Sequence, residues 1–193
     1  MPDTSHSLLF RIAHAPSDTS WRSLAQVYEP FISYWLKRLG VPTNDQADLS
    51  QEVFTVLVKE LPQFRHSGNK GAFRSWLRTI VSHRVRHYFR SAQVRTRGMV
   101  PAEILNELEA PESSISQEWD REHDAHVTRE LLAALEKEFT PATWLAFKRQ
   151  VVDGVKAAQV AEETGQTVNA VFLAKSRVLR RFREEAAGIL DEI

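Results

Sequence analysis

Residues 61–102 read LPQFRHSGNKGAFRSWLRTIVSHRVRHYFRSAQVRTRGMVPA. Glu60 is the last acid before this stretch and Glu103 the first after it. Between them stand Arg65, Lys70, Arg74, Arg78, Arg84, Arg86, Arg90, Arg95 and Arg97, with His66, His83 and His87. Phe64, Phe73, Trp76, Tyr88 and Phe89 are interleaved with these cations. Cations mixed with flat rings suit a single-stranded nucleic acid, with phosphates on the charges and bases on the rings. The competing reading is a solvated helix face that lacks acids.

The pattern within the stretch separates a loop from a helix. QFRHSGNKG is rich in turn formers, and Gly68 and Gly71 give its backbone freedom. A helix is expected from about Ala72 to Ser91, with Phe73, Leu77, Ile80, Val81 and Tyr88 on the core side. Ser75, Thr79, Ser82, His83, Arg86 and Arg90 share the opposite side, flanked by Arg74 and Arg78, and Trp76 sits at the border.

Upstream, residues 7–13 fit a short amphipathic helix ended by Pro16. A longer pattern runs through Trp21, Leu24, Val27 (or Tyr28), Phe31, Trp35 and Leu39, and Gly40 and Pro42 stop it. Pro30 inside this pattern predicts a kink or a break into two helices. Thr43 or Asn44 is expected to cap the next helix, which carries Leu49, Val53, Phe54, Leu57 and Leu61. Asp48, Gln51, Glu52 and Thr55 form a polar stripe beside that apolar one.

Downstream the charge reverses. Glu103, Glu107, Glu109, Glu112, Glu118, Asp120, Glu122 and Asp124 stand against Arg121 alone, near Gly98, Pro101 and Pro111. This reads as an acidic interdomain linker over 98–124, partly helical from Ser114. It either crosses a basic channel on a partner or serves solubility. After it come short helices. Leu131, Leu132, Leu135 and Phe139 give one face, and Thr140–Pro141 opens a helix that stops at Asp153–Gly154.

Ala161, Gly165 and Val171 then stand at helix-turn-helix offsets. A small residue suits the close crossing, glycine the left-handed turn, and valine the packing of the second helix on the first. Thr167 is placed to cap that second helix, whose outward side offers Asn169, Phe172, Lys175 and Ser176, then Arg177, Arg180, Arg181 and Arg183. Polar groups near the N-terminus and arginines beyond suit a major-groove reader, and an ordinary helical hairpin with a basic end is the alternative.

Composition bounds these readings. A chain of 193 residues allows one large domain or two small ones, and 42% apolar content supports a packed core. The net charge is zero, so the information lies in the asymmetry along the chain rather than in a basic coat. No apolar run approaches the roughly 20 residues of a membrane span, and no secretory leader pattern opens the chain. With no cysteine there is no disulfide, thiolate zinc site or cysteine nucleophile, and a cytoplasmic location is expected.

A strand-binding segment and a duplex-binding segment in one chain resemble an extracytoplasmic-function sigma factor of the sigma-70 family. The resemblance covers about residues 21–185, and its strongest pieces are DLSQEVFTVLVKELPQF (48–64), FRSWLRTIV (73–81) and the terminal helix-turn-helix. It implies an all-α chain: a sigma region 2-like bundle over 1–97, the linker over 98–124, and a region 4-like domain over 125–193. It further implies that Asp48, Gln51, Glu52, Phe54 and Thr55 dock on core RNA polymerase. Phe64, Arg65, His66, Asn69, Lys70, Trp76, Thr79, His83, Arg86 and Arg90 are then the contacts to the melted −10 strand. Thr167, Asn169, Phe172, Lys175, Ser176, Arg177 and Arg180 fall to the −35 duplex. Many relatives carry Asn at the position of His83, Asp at that of His87, and polar residues at those of Phe172 and Leu173, so the base preferences do not transfer. Core polymerase and promoter DNA are the implied partners, an anti-sigma factor is a further partner the family allows, and no cofactor is expected.

Two other classes were weighed. His83 and His87, four apart on a helix, have a spacing that can hold a metal, but no carboxylate lies in the segment and arginines intervene, so no metal is expected. No phosphate loop, nucleophile elbow or catalytic acid pair is visible, which leaves no enzyme site. A stand-alone helix-turn-helix regulator accounts for the C-terminal part but not for the acid-free aromatic segment or the docking stripe.

Overall fold

The computed structural model describes residues 7–64, 69–91 and 102–190. Among these the chain is all-α, with nine α-helices and no β-strand. They are α1 (Leu8–His14), α2 (Asp18–Arg38), α3 (Thr43–Glu60), α4 (Ala72–Arg90), α5 (Ala102–Glu109), α6 (Ser114–Glu136), α7 (Pro141–Phe147), α8 (Ala157–Thr164) and α9 (Val168–Ala186). A 3-10 turn, Leu61–Gln63, follows α3, and a π-helical turn, Lys148–Val152, follows α7. None of the described helices is long and apolar enough to cross a membrane.

The chain divides into two compact units. One comprises Ser7–Val127 with the segment from Ala187, and the other contains Thr128–Ala186. α6 contributes to both, its residues through Val127 to the first and the remainder to the second.

In the first unit, Ser17 caps α2 by accepting from the Ser20 backbone N–H at 3.2 Å, while the Ser20 hydroxyl accepts from the Ser17 N–H in return. This reciprocal box satisfies two of the donors that a helix start leaves orphaned. α2 continues through Pro30 as one helix, so of the kink or break expected there the break does not occur. Pro30 is exposed, so the hydrogen bond it cannot make to the Gln26 carbonyl is lost on the solvent side, where water can replace it. The start of α3 also differs from expectation. The helix begins at Thr43 with Pro42 at the cap and no side-chain cap bond, while the Gln46 amide donates to the Val41 carbonyl at 2.8 Å.

The core of this unit centres on α2, where Tyr28, Phe31, Ile32, Trp35 and Leu36 are buried. It is completed by a segment the sequence reading assigned to the linker. Trp119 of α6 is fully buried, with its ring centroid 4.9 Å from those of both Phe31 and Trp35. His123 is fully buried as well and lies 3.0 Å from the Tyr28 hydroxyl through Nε2 and 2.9 Å from Asp124 through Nδ1. His126 reaches the Val27 carbonyl at 2.6 Å through Nε2. Leu105 and Leu108 bury one side of α5. Residues 102–124 of the segment read as a linker are thus largely helical and packed within the first unit. Its acids obscured a sparse apolar pattern, whose few members are large.

In the second unit, Thr140 caps α7 by accepting from the Thr143 N–H, with Pro141 at the first helical position. Ala146, Val160, Ala161, Val171 and Ala174 form one buried cluster at the crossing of α7, α8 and α9. Gly165 ends α8 at φ +66°, in the left-handed region, and Gln166 and Thr167 after it lead the chain into α9. Arg149 clasps Glu163 through two nitrogens at 2.9–3.1 Å, and Arg181 reaches Glu138 at 2.8 Å and Glu185 at 2.5 Å.

Candidate nucleic-acid and partner interfaces

α3 divides its residues cleanly between two jobs. Leu49, Ser50, Val53 and Leu57 are buried, whereas Asp48, Gln51, Glu52 and Thr55 are exposed and Phe54 is half-buried at their margin. The Thr55 hydroxyl donates to the Gln51 carbonyl at 2.8 Å, leaving the carboxylates of Asp48 and Glu52 toward solvent. An acidic, amide-bearing stripe of this kind suits a partner surface with complementary cations.

α4 begins at Gly71, whose φ of +70° lies in the left-handed region. A Cβ there would stand 2.8 Å from the Arg74 guanidinium, so glycine also admits the Arg74 side chain close against the backbone. Near this end the rings gather. Phe64 lies 4.7 Å from Trp76 and 5.7 Å from Phe73, and Phe73 is itself 5.6 Å from Trp76. Phe73 is buried, while Phe64 and Trp76 remain half-buried with ring surface toward solvent. Asn69 and Lys70 are exposed beside them. Arg65 and His66 lie outside the described residues.

Farther along α4, Leu77, Ile80 and Val81 are buried as expected, and Val85 is buried with them. Tyr88 is half-buried and donates its hydroxyl to Asp45, and its loss of solvent together with this bond pushes its pKa up to about 12. Thr79, His83, His87 and Arg90 are exposed.

Two residues of the polar side depart from the helical-wheel assignment. Ser82 is fully buried and donates to Glu109 of α5 at 2.6 Å. Arg78 is only 4% exposed and donates to Asp120 at 2.8 Å and to the Ser116 carbonyl at 3.3 Å. Arg74 reaches Asp124 at 3.1 Å and Asp120 at 3.4 Å. Burial lowers the pKa of Arg78 against the opposing pull of Asp120, yet arginine stays charged under ordinary conditions, so the buried cation needs its carboxylate. Arg74 and Arg78 thus hold α6 against α4.

A polar cleft of about 550 Å³ opens between α4 and α5, lined by His83, Arg84, Arg86, His87, Arg90, Asn106 and Glu109. Arg86 donates to Glu109 at 2.9 Å and to the Asn106 side chain at 3.2 Å, and His83 Nε2 lies 3.7 Å from Glu109. Burial acts to raise the Glu109 pKa, but the bonds from Arg86 and Ser82 outweigh it and hold the carboxyl below its usual range. The cleft therefore offers a row of cations with one carboxylate of the chain's own already seated among them. Asn106, Glu109, Asp120 and Asp124 were missed as parts of this face. The signal for them was the abrupt change from an acid-free segment to a base-poor one, which reads as two complementary halves of one structure.

α9 places Val171, Ala174 and Val178 inward and Asn169, Phe172, Ser176, Arg177 and Arg180 outward, with Lys175 half-buried at the edge. The exposed Thr167 accepts from the Ala170 N–H at 3.1 Å and caps the helix as expected. Ala161 and Val171 meet in the cluster at the crossing of α8 and α9, which is the helix-turn-helix contact.

The Sigma-70 region 2 family matches residues 24–95, the segment from α2 through α4. The ECF RNA polymerase sigma factor SigD of Mycobacterium bovis is 32% identical over 158 residues, which span 79% of this chain and 68% of that protein. The proteins of the same name from two strains of Mycobacterium tuberculosis match to the same extent.

Proposed function

The chain belongs to the extracytoplasmic-function RNA polymerase sigma factors of the sigma-70 family, whose role is in transcription initiation, and from that premise we propose how its surfaces divide the work. The α3 stripe of Asp48, Gln51, Glu52, Phe54 and Thr55 docks on core RNA polymerase. The helix-turn-helix face of Thr167, Asn169, Phe172, Lys175, Ser176, Arg177 and Arg180 grips −35 duplex. Phe64, Arg65, His66, Asn69, Lys70, Trp76, Thr79, His83, Arg86 and Arg90 hold the melted −10 strand. The linker role assigned to 98–124 is not part of this reading, and the region 2-like unit extends through α6 as far as Val127.

One observation carries the reading. Within the segment that matches Sigma-70 region 2, the half-buried Phe64–Trp76 rings and exposed Lys70 stand at one end of α4, and half-buried Arg84 and Arg86 with exposed Arg90 lie toward the other. Rings take unstacked bases at about 1–3 kcal/mol each, and cations take phosphates, so binding the open strand offsets the cost of opening it. Glu109 adds a condition, because a phosphate reaching Arg86 meets a carboxylate already there. Capture is then an exchange of one anion for another, and weak affinity for DNA in the absence of polymerase follows. The protein acts at a cytoplasmic promoter complex and makes no bonds itself; polymerase does the chemistry.

The test is reconstitution. The purified chain is added to core polymerase with genomic templates, and transcript starts are sequenced. Discrete starts that share upstream −10 and −35 sequences are expected. Charge reversal at Asp48 and Glu52 should abolish them by loss of polymerase binding while helicity is unchanged. Absence of any chain-dependent start sinks the proposal.

A further inference from the structure

α9 presents large apolar side chains outward where the rest of its outer face is polar. Phe172 is 53% exposed and its neighbour Leu173 45% exposed, and Val168 one turn earlier is 41% exposed. Single exposed apolar residues are common on proteins and mean little. These three instead cluster on the first two turns of one helix, with Phe172 and Leu173 turned away from its buried Val171 and Ala174 and Val168 at the margin.

The charges around them show what kind of surface they belong to. Arg149 and Arg181, on the flanks of this unit, are neutralised by Glu163 and by Glu138 and Glu185. Arg177 and Arg180, on the outward face of α9, and Lys175 at its edge carry no ion pair among the described residues. Acids are thus supplied to the lateral arginines and withheld from the outward ones. A face that keeps its cations open suits a polyanion, and the apolar pair lies between these cations and the capped N-terminus of the helix.

In the major groove of a DNA duplex the apolar group on offer is the C5 methyl of thymine. We infer that Phe172 and Leu173 read thymine methyl groups, so that the −35 duplex bound by this chain carries thymine at neighbouring base-pair steps. The inference rests on the proposal that α9 enters the −35 groove and deepens it from backbone gripping to base choice. Polar residues at these two positions would read hydrogen-bonding edges; here the discrimination is by apolar contact.

The experiment uses the chain assembled with core polymerase and a pool of duplexes randomised across the −35 region. The recovered duplexes are sequenced, and the preferred one is resynthesised with each thymine replaced in turn by deoxyuridine, which removes only the methyl. Enrichment of thymine at adjacent steps is expected. Each sensitive methyl should be worth roughly fourfold in affinity, the value of burying one such group. Phe172→Ala and Leu173→Ala should each abolish the response to methyl removal at one of the sensitive thymines, while Arg177→Ala should weaken thymine and uracil duplexes in the same proportion. Enrichment with no response to methyl removal overturns this inference and leaves α9 as a duplex reader. No enrichment of any sequence overturns the duplex reading itself. If Phe172→Ala weakens binding to polymerase instead of DNA, the patch belongs to a protein contact and the inference fails.

Discussion

Replacing Asp120 with asparagine tests whether the acidic segment is part of the fold. The Arg78 side chain is 5% exposed and Asp120 30% exposed, and their ion pair is 2.8 Å long. Removing one partner of a fully buried pair costs about 3–5 kcal/mol, because the other charge is stranded, whereas an exposed pair is worth about 0–1 kcal/mol. Here the cation is buried and the carboxylate partly wet, and the Ser116 carbonyl still accepts from Arg78 at 3.3 Å. Asp120→Asn should therefore cost about 2–3 kcal/mol, between those limits. Urea unfolding followed by tryptophan fluorescence is the suitable assay. Trp21, Trp35, Trp76 and Trp119 lie in the first unit and only Trp144 in the second. The midpoint should fall by roughly 1 M for a urea m-value of about 2–3 kcal/mol/M. Glu118→Gln, at the more exposed pair with Arg38, is the control and should shift the midpoint little. The double change Arg78→Met, Asp120→Leu should recover most of the loss, because no charge is then left stranded. A loss below about 0.5 kcal/mol for Asp120→Asn would refute the reasoning and return residues 114–124 to a tethered linker.

Two further outcomes follow from the same contacts. Glu109→Gln leaves Ser82 an acceptor but frees the Arg86 charge, so complexes with a pre-melted −10 strand should dissociate about three- to tenfold more slowly, the worth of about one strengthened phosphate contact; unchanged or faster dissociation in a filter-binding or fluorescence assay would place the strand elsewhere. The His123 pKa is lowered, by burial first and against the pull of Asp124, so below the unfolded value of about 6.5 the unfolded chain takes up a proton that the folded chain refuses. Stability of the first unit should be full above about pH 7 and fall by at most about 1.4 kcal/mol per pH unit as pH drops below that value. Thermal melts between pH 8 and 5.5 that show no such slope would refute the assignment.

Most of the helical architecture was legible because apolar periodicity and punctuation agreed. Thr140–Pro141, Gly165 and the Leu49–Val53–Leu57 spacing each left one reading. Where local signals were ambiguous, tertiary context decided. Pro30 reads as a breaker, yet its lost bond lies where water is available. Arg78 and Ser82 sit on the polar side of a helical wheel, and only their long-range partners Asp120 and Glu109 make that side an interior. A helical wheel locates the face an element hides from solvent only when the buried groups are apolar. It cannot anticipate burial by complementary charge, because the partner lies 42 residues away for Arg78 and 27 for Ser82. The exposed candidates on α3 and α9 were easier to read, since they need no partner within the chain.

The same complementarity bears on how a neutral protein handles DNA. Arg74 and Arg78 are spent on holding α6, and Arg86 is partly spent on Glu109. Among the described residues that leaves Phe64, Trp76 and the exposed Lys70 at one end of α4 and His83, His87 and Arg90 exposed toward the other, with Trp76 and Arg90 separated along the helix by roughly 21 Å at 1.5 Å per residue. In the proposed reading the rings at the start of this element take bases, and Arg74 and Arg78, held by carboxylates of α6, are withdrawn from general attraction to polyanions. Each cation held by a carboxylate of the chain's own lowers what this surface gains from DNA of any sequence, because nonspecific affinity scales with the number of phosphates neutralised. Its affinity has to come from stacking on bases that are already unpaired and from contacts made elsewhere in the assembly. Such a surface favours a strand opened by polymerase over duplex in bulk, which is the discrimination an initiation factor needs.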